Sequence, residues 1–407
     1  MTGEPALPRG AMTVLPARDL TEALTPVFVH SSWRTASTWL WSKLRGAPTA
    51  LAYCEIFHER LADCTIPNLR GNDFSQWNSK HPEGAPYFLE FAPLVGKSGV
   101  VRGYGAGMAL DRFLPANGVY GDLSAPERAY LEGLIENALA RRKIPVLTDT
   151  RTLGRFAAIA KAFPGRHVLL IRNVFHQWAS YSEQWAGGNG YFFAMQKKAI
   201  EMSRRDPFVA LIADWFDEPD KSPRNPATFQ LFLLFHLYLY ARAFDSADLV
   251  VDANRVAADP DHRAFVEAQL SEYVRHPIDL SDARSPFGTS LFLTPSRAAF
   301  LDGIEQFAKQ MIDGSISAEA AAFAMRVKDE ALAEWERCEF YSGAQRKWSM
   351  QRLRSAEAAA KESEAALALE RKNAAVLAAR VERLKRAVAK RGVAARPAAA
   401  RKPAKLR

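Results

Sequence analysis

The stretch PVFVHSSWRTASTWLWSKL, residues 26–44, decides the fold. Its short apolar run, Val27 to Val29, predicts a buried strand, and a cluster of hydroxyl and basic side chains follows it directly. From Trp39 onward the apolar residues take helical spacing, so the cluster lies on a strand-to-helix turn above a helix N-terminus. Unpaired backbone N–H groups and the positive end of the helix dipole favour an anion at such a place. The stretch therefore predicts a site for a phosphate-like or sulfate-like group.

Strand and helix patterns alternate through much of the remaining chain. The short apolar runs that predict further strands lie at 49–53, 145–147, 167–171 and 249–252. The segments with helical periodicity between them lie at 126–143, 153–163 and 175–185. This alternation predicts an α/β fold with a central, mainly parallel β-sheet flanked by helices. Ligands of such sheets bind at the carboxyl ends of the strands.

Composition and charge divide the chain into a near-neutral body and a basic tail. With 407 residues, 48% of them hydrophobic, the chain can bury a large core. Residues 351–407 hold 16 Lys and Arg against 5 Glu, a net charge of +11, which leaves −2 for residues 1–350 of the chain's +9. We therefore expect no specific nucleic-acid binding by the body, and a basic tail that can contact an anionic surface.

The cysteines and the N-terminus predict a cytoplasmic protein. Cys54, Cys64 and Cys338 are an odd number without metal-type spacing, so neither a disulfide framework nor a zinc site is expected. The N-terminal residues contain prolines and acidic residues where a signal peptide needs a continuous apolar core. The most apolar run, residues 229–240, is too short to cross a bilayer and predicts a buried helix.

The sequence predicts several segments of different character. The first is a flexible leader and the last a basic disordered end, and between them lie an α/β domain with an acceptor-side insertion and a helical segment. Their predicted ranges are 1–24 for the leader, 25–345 for the domain with its insertion at 62–121, 346–390 for the helix and 391–407 for the end. Heptad-like spacing of apolar residues predicts a possible coiled-coil homodimer through 353–388, although Ser363 and Glu370 occupy seam positions.

Two segments resemble the sulfotransferase family, which takes sulfate from 3′-phosphoadenosine 5′-phosphosulfate (PAPS) on a P-loop-like fold. SSWRTASTW, residues 31–39, looks like that family's phosphosulfate-binding loop, with Ala36 where the family usually has Gly. VLLIRNVFHQWASY, residues 168–181, looks like its 3′-phosphate signature, in which a strand ends in Arg and a Ser follows eight residues later. The donor-binding residues that the resemblance implies are Ser32, Arg34, Thr35, Ala36, Ser37, Thr38, Trp39, Arg172 and Ser180.

The second segment can also be interpreted from its residues alone, without the resemblance to a family. An Arg at a strand end, followed by a helix that offers Ser180 in its third turn, can place a charged donor and a hydroxyl around one phosphate. Arg172 could instead pair with a carboxylate at the sheet edge. Within the sulfotransferase family, the chain resembles carbohydrate-type (Golgi-type) and bacterial members in general character.

The resemblance implies transfer of a sulfuryl group from PAPS to a hydroxyl or amine, with a carbohydrate or glycan-like molecule as the expected acceptor and with no metal. Such a reaction needs in-line positioning, positive charge on the leaving group and a base for the acceptor proton. Arg34 is the expected leaving-group cation. Glu55 is the first candidate for the base, and His58 is its competitor. Arg151 and Arg155 could face the same pocket or form a solvated helix start.

Two other functions stay open. A P-loop-type kinase or other nucleotide-binding enzyme would share the fold, but the sequence has no GxxxxGK[ST] and no acidic strand end clearly placed for Mg²⁺. A non-catalytic scaffold would keep a degenerate donor site and act through its coiled-coil tail. The complete set of Arg34, Ser37, Thr38, Arg172 and Ser180 argues against that scaffold.

Overall fold

The computed structural model describes residues 24–64, 69, 86–285, 287–292, 294, 296–312 and 314–394, and omits the side chains of 345, 346 and 390–394. Three predicted segments therefore lie wholly or partly outside the described residues. They are the leader except for its last residue, part of the 62–121 insertion and most of the basic end. The described parts of the insertion form loops and short 3-10 helical turns at Leu89–Leu94 and Ala106–Met108.

Five parallel strands form the central sheet, as the alternation of strand and helix predicted. The strands are β1 (Val27–His30), β2 (Ala50–Cys54), β3 (Ile144–Asp149), β4 (Arg166–Ile171) and β5 (Leu249–Asp252). Their order across the sheet is β2-β3-β1-β4-β5, and every pairing is parallel. All residues of β1 and β3 are buried, which explains why these strands read as apolar runs.

Helices connect and cover the strands. They are α1 (Ser37–Arg45), α2 (Ala125–Leu139), α3 (Phe156–Ala162), α4 (Val174–Ala186), α5 (Tyr191–Met202), α6 (Pro207–Trp215), α7 (Pro226–Phe244), α8 (Ala253–Ala258), α9 (Pro260–Val274), α10 (Arg297–Gln310) and α11 (Ala318–Ala394). The apolar run at 229–240 lies inside α7 and is buried, as predicted. None of the described helices is both long and apolar enough to cross a membrane.

Alternate side chains of β4 enter two different hydrophobic clusters. Val168 and Leu170 pack into a cluster with β1, α1 and α2, whereas Leu169 and Ile171 pack with α4 and α7. Because successive side chains of a strand point to opposite faces, the two clusters lie on the two faces of the sheet. The body therefore has three layers, helices on each side of a parallel sheet.

The strand order places a topological switch point between β1 and β4. From β1 the chain moves to β2 on one side of the sheet, and from β4 it moves to β5 on the other side. In open α/β sheets, the crevice at the carboxyl ends of two such neighbouring strands is where ligands bind. The residues that follow β1 and β4 are Ser31–Ala36 and Arg172–Asn173, so both predicted motifs reach this crevice.

The chain separates into two compact units, Met1–Cys338 and Glu339–Arg407. The helix α11 begins in the first unit and continues through the second, so residues 346–390 are helical, as predicted. In the second unit, the described side chains from 347 to 389 are all exposed.

Candidate functional site

The loop between β1 and α1 is held by its own hydroxyl groups. Ser31 donates through both its N–H and its hydroxyl to the carbonyl oxygen of Asp149, at 3.1 and 2.9 Å. The Ser32 hydroxyl lies 2.8 Å from His236 Nε2, and the Thr35 hydroxyl donates to the Ser32 carbonyl at 2.7 Å. Ser32 and Thr35, two predicted donor-binding residues, are therefore buried and shape the loop from the inside.

Two residues of this loop have a left-handed backbone. Arg34 has φ of 64° and Ala36 has φ of 69°. This is the region that glycine adopts without a steric penalty, whereas a residue with a Cβ is strained there. Because residue 36 is Ala, the backbone at this position carries a Cβ in a strained conformation.

The first turn of α1 faces a cavity of about 540 Å³. Ser37, Thr38 and Trp39 line it, as does Ala36, the N-cap residue of the helix. Within the part of the chain that the structure describes, no side chain caps this N-terminus, so its backbone N–H groups lack the partner that a capping residue gives. Trp39 donates from Nε1 to Asp282 Oδ1 at 3.1 Å. The turn is therefore built to accept an anion from the cavity.

Arg172 and Ser180 lie next to Arg34. Arg172 follows the last residue of β4, and Ser180 lies in the second turn of α4, a helix that Asn173 caps by accepting from two backbone N–H groups. Arg34 Nε donates to Ser180 Oγ at 2.9 Å, and Arg172 Nη1 donates to the Arg34 carbonyl oxygen at 3.0 Å. The structure thus brings the two predicted motifs into direct contact.

Both guanidinium groups of this pair belong to half-buried residues. Burial, and next the charge of Arg34, lower the pKa of Arg172 to about 10. Burial also lowers the pKa of Arg34, whose guanidinium lies 5.1 Å from the centre of the Phe192 ring. Among the described residues no carboxylate forms an ion pair with either of them, although the charge of Glu183, which lines the second cavity described below, acts to raise the pKa of Arg34. Two like charges withdrawn from water favour the binding of an anion.

A second cavity, of about 690 Å³, lies on the other side of the arginines. Ser180, His176 and Thr289 are among its lining residues, and Arg34, Arg172 and Arg284 line both cavities. Arg284 is exposed and belongs to the segment after α9. The three arginines thus lie between two polar cavities, which suits a ligand with two separate anionic groups.

Glu55 and His58 lie on the first cavity, after the end of β2. Glu55 has φ of 48°, and its Oε2 accepts from Arg151 Nη1 at 2.9 Å. His58 Nε2 is 3.5 Å from the same oxygen. Among the described residues no hydrogen-bond donor contacts Glu55 Oε1. One oxygen of this carboxylate is therefore anchored, and the other is left to accept a proton.

His58 has the chemistry of a neutral imidazole. Burial, and next the charge of Arg151, lower its pKa to about 4. Its Nδ1 accepts from the backbone N–H of Arg60 at 3.1 Å, so the ring proton belongs on Nε2. Neither ring nitrogen is then ready to take a proton near neutral pH. Of the two predicted candidates for the base, the geometry favours Glu55.

Arg151 links the carboxylates of this region. Its side chain is fully buried, and it bonds Glu55 through Nη1 and both Glu59 Oε2 and the Tyr191 hydroxyl through Nη2, at 2.9, 2.8 and 3.1 Å. Burial alone would lower the pKa of Arg151, but Glu55, Tyr191 and Glu59 raise it above its ordinary value. Arg151 thus faces the cavity, the first of the two possibilities that the sequence left open.

Arg155 pairs with a carboxylate outside the two cavities, whereas Arg151 pairs with one that lines the first cavity. Its buried guanidinium donates to Glu127 Oε1 at 2.7 Å and to the carbonyl oxygens of Met108 and Ala109. It lines neither cavity. Arg155 therefore joins the insertion to α2, and it reaches the site only through the backbone carbonyl of Arg151, to which its Nε and Nη2 donate at 3.4 and 3.3 Å.

An acidic strand end that sequence inspection missed lies beside β1. Asp149 ends β3 opposite His30 of β1. Its carboxylate is buried and accepts from the backbone N–H groups of Phe57, at 2.6 Å, and Arg151. Burial raises the pKa of Asp149 to about 6. Both carboxylate oxygens are committed to the backbone, so Asp149 fixes the loops after β2 and β3.

No protein-family model, curated protein or solved structure matches this chain. What the site can bind is therefore decided by its own residues and geometry. Tyr191 and Phe192 also line the first cavity, and neither of them belongs to a recognisable motif. Only their position in the folded chain could have identified them.

Proposed function

We propose that this protein is a sulfotransferase, which transfers a sulfuryl group from PAPS to a hydroxyl or amine of a carbohydrate or glycan-like acceptor. The observation that carries the proposal is the contact of Arg34 with Arg172 and Ser180, between two polar cavities and without a carboxylate partner. A simple mononucleotide needs one phosphate site. Two cavities that share three arginines suit a nucleotide with phosphates on both sides of its ribose.

The residues present fit such a donor. The uncapped N-terminus of α1, with Ser37 and Thr38, would hold the phosphosulfate end. Arg172, Ser180 and Arg284 would hold the 3′-phosphate in the second cavity. Hydrogen bonds to charged groups contribute about 1.5–3 kcal/mol each, so these anchors suffice for firm binding. When bound, the donor supplies a sulfuryl group attached to a phosphate leaving group.

Arg34 is suited to stabilise negative charge in the transition state. Only its Nε is used in the hydrogen bond to Ser180. Its two terminal nitrogens have no hydrogen-bond partner among the described residues, and Arg34 lines both cavities. A cation that is already in position when negative charge develops stabilises the transition state more than a cation that must first reorganise.

Glu55 is proposed as the base that takes the acceptor's proton on Oε1. Arg151 holds the other oxygen and fixes the plane of the carboxylate. Arg151 is a positioning residue in this scheme, because it acts through Glu55. The first cavity, which Glu55 and His58 line together with Trp33 and Tyr191, is the proposed acceptor space.

The two alternative functions fit the site less well. A kinase that uses Mg²⁺ needs a carboxylate able to hold the metal, and Asp149 at the end of β3 already accepts from two backbone N–H groups. A non-catalytic scaffold has no need of two half-buried arginines that form no ion pair. A cytoplasmic location, suggested by three cysteines that form no disulfide, stays a prediction.

Thermal-shift titration separates the three functions. Adenosine 3′,5′-bisphosphate without metal is compared with ATP plus Mg²⁺. The sulfotransferase predicts a rise in Tm with the bisphosphate alone. Preference for Mg-ATP would favour the kinase, and no shift with either nucleotide would favour the scaffold. Incubation with labelled PAPS and glycan acceptors then tests transfer itself.

A further inference from the structure

The C-terminal unit presents an apolar stripe that the chain itself leaves uncovered. Residues 353–388 are helical, and their described side chains are exposed throughout. Large apolar residues at heptad spacing are exposed over about half of their surface or more. They are Leu353, Leu367, Leu377, Val381, Leu384 and Val388. Such a stripe on one helix is typical of the seam of a coiled coil.

The seam has a regular pattern of positions. Leu353, Ala360, Leu367, Ala374, Val381 and Val388 follow one another at intervals of seven, and Ala356, Leu377 and Leu384 stand on the second row of the same face. Ser363 and Glu370 interrupt that second row near the middle of the segment. The apolar seam is therefore incomplete, and the charges along its borders decide the orientation of a partner.

Those border charges differ between the two halves of the segment. Glu357 and Glu364 border the first half, whereas Arg371, Arg380 and Lys385 border the second half. The whole first half, 353–370, carries a net charge of −2, and the second half, 371–388, carries +5. The helix is thus acidic toward one end of the seam and basic toward the other.

We propose that residues 353–388 pair with the same segment of a second copy of the chain in antiparallel orientation. Antiparallel pairing places the acidic half of each helix against the basic half of the other. Parallel pairing would place Arg380 near Lys385 of the second copy and would bring two halves of charge +5 together. Charge complementarity along the segment therefore selects the antiparallel dimer.

Spin labels on the outer face of the helix test the orientation in the full-length protein. Single cysteines replace Ala358, Lys372 or Arg386, which lie opposite the seam near its start, middle and end. The native cysteines are buried. At 1.5 Å per residue, an antiparallel dimer gives label-to-label distances of about 35–50 Å at the two ends and a much shorter distance at Lys372. Short, similar distances at all three positions would mean a parallel dimer and would overturn the proposal.

The seam itself is tested by two matched pairs of substitutions. Leu377→Asp with Leu384→Asp places charges on the seam, and the dimer should be lost in sedimentation across a concentration series. Leu369→Asp with Val376→Asp changes equally exposed apolar residues away from the seam, and the dimer should persist. A wild-type chain that sediments as a monomer throughout the series, or equal loss in both variants, would overturn the proposal.

Discussion

Arg172 Nη1 donates to the backbone carbonyl of Arg34 at 3.0 Å, although the two residues are 138 positions apart in the chain. One follows β4 and the other follows β1, and the two strands are neighbours in the sheet. The contact fixes the curled loop that carries Arg34 and leaves the two guanidinium groups to share whatever anion binds. Removing either group should therefore weaken binding of that anion.

Arg172→Ala should weaken the binding of adenosine 3′,5′-bisphosphate by one to two orders of magnitude. One lost charged hydrogen bond is worth about 1.5–3 kcal/mol, which is about 10- to 150-fold in affinity. Isothermal titration calorimetry measures the change. Arg128→Ala, which removes an exposed arginine that lines neither cavity, should leave the affinity as it is. Unchanged affinity of a folded Arg172→Ala protein would contradict the proposed 3′-phosphate site.

Glu55→Gln should abolish sulfuryl transfer while bisphosphate binding persists. A positioned base contributes about 10²- to 10⁴-fold to the rate, and the amide has the same shape without the proton affinity. Turnover with labelled donor and calorimetry on the same sample separate the two effects. His58→Gln should cost far less turnover, because the Nδ1 of His58 already accepts from Arg60. Near wild-type turnover of Glu55→Gln would transfer the role of base to another group.

Ala36→Gly should raise the free energy of unfolding by about 0.5–1 kcal/mol. A left-handed conformation costs a residue with a Cβ about 1–2 kcal/mol, and part of this gain is offset by the greater freedom of glycine in the unfolded chain. Urea denaturation measures the difference. Ala129→Gly is the matched control, because Ala129 is exposed within the helix α2 and should lose about 1 kcal/mol. A loss of similar size in both variants would contradict the strain inferred at Ala36.

His236 should make the fold sensitive to mild acid. Burial lowers its pKa to about 4, and the unfolded value is about 6.5. Between these values the unfolded chain binds the proton more strongly, so this stability is complete above pH 6.5 and is lost as the pH falls toward 4. At pH 5 the loss from this one group amounts to about 2 kcal/mol.

Protonation of His236 would also turn its Nε2 into a donor toward Ser32, which holds the loop of the site. Urea denaturation of the wild type and of His236→Gln at pH 7 and pH 5 measures this contribution. The substituted protein should lose less stability over that interval. Equal losses in the two proteins would assign the acid sensitivity to other groups.

Local sequence determined the parts of this protein that depend on neighbours in the chain. The apolar run at Val27 to Val29 and the change of period at Trp39 defined β1 and α1, because strand and helix periodicities are local properties. The same reasoning placed Arg172 at a strand end and Ser180 on the helix after it. The exposed heptad seam of α11 was readable for the same reason, whereas the lack of a side-chain cap on α1, next to so many hydroxyl groups, was not.

Only the tertiary structure decided which of these residues meet and which way they face. The order β2-β3-β1-β4-β5 brings Arg34 to Ser180, and no local pattern encodes strand order. Burial turned the hydroxyls of Ser32 and Thr35 inward, since the positions of the neighbouring carbonyl and imidazole groups are set by the packed core. The local sequence around Arg151 is compatible with an exposed or a buried side chain. Arg151 holds the carboxylate of Glu55 because Glu55 and Glu59, which follow another strand, both lie next to it in the folded chain.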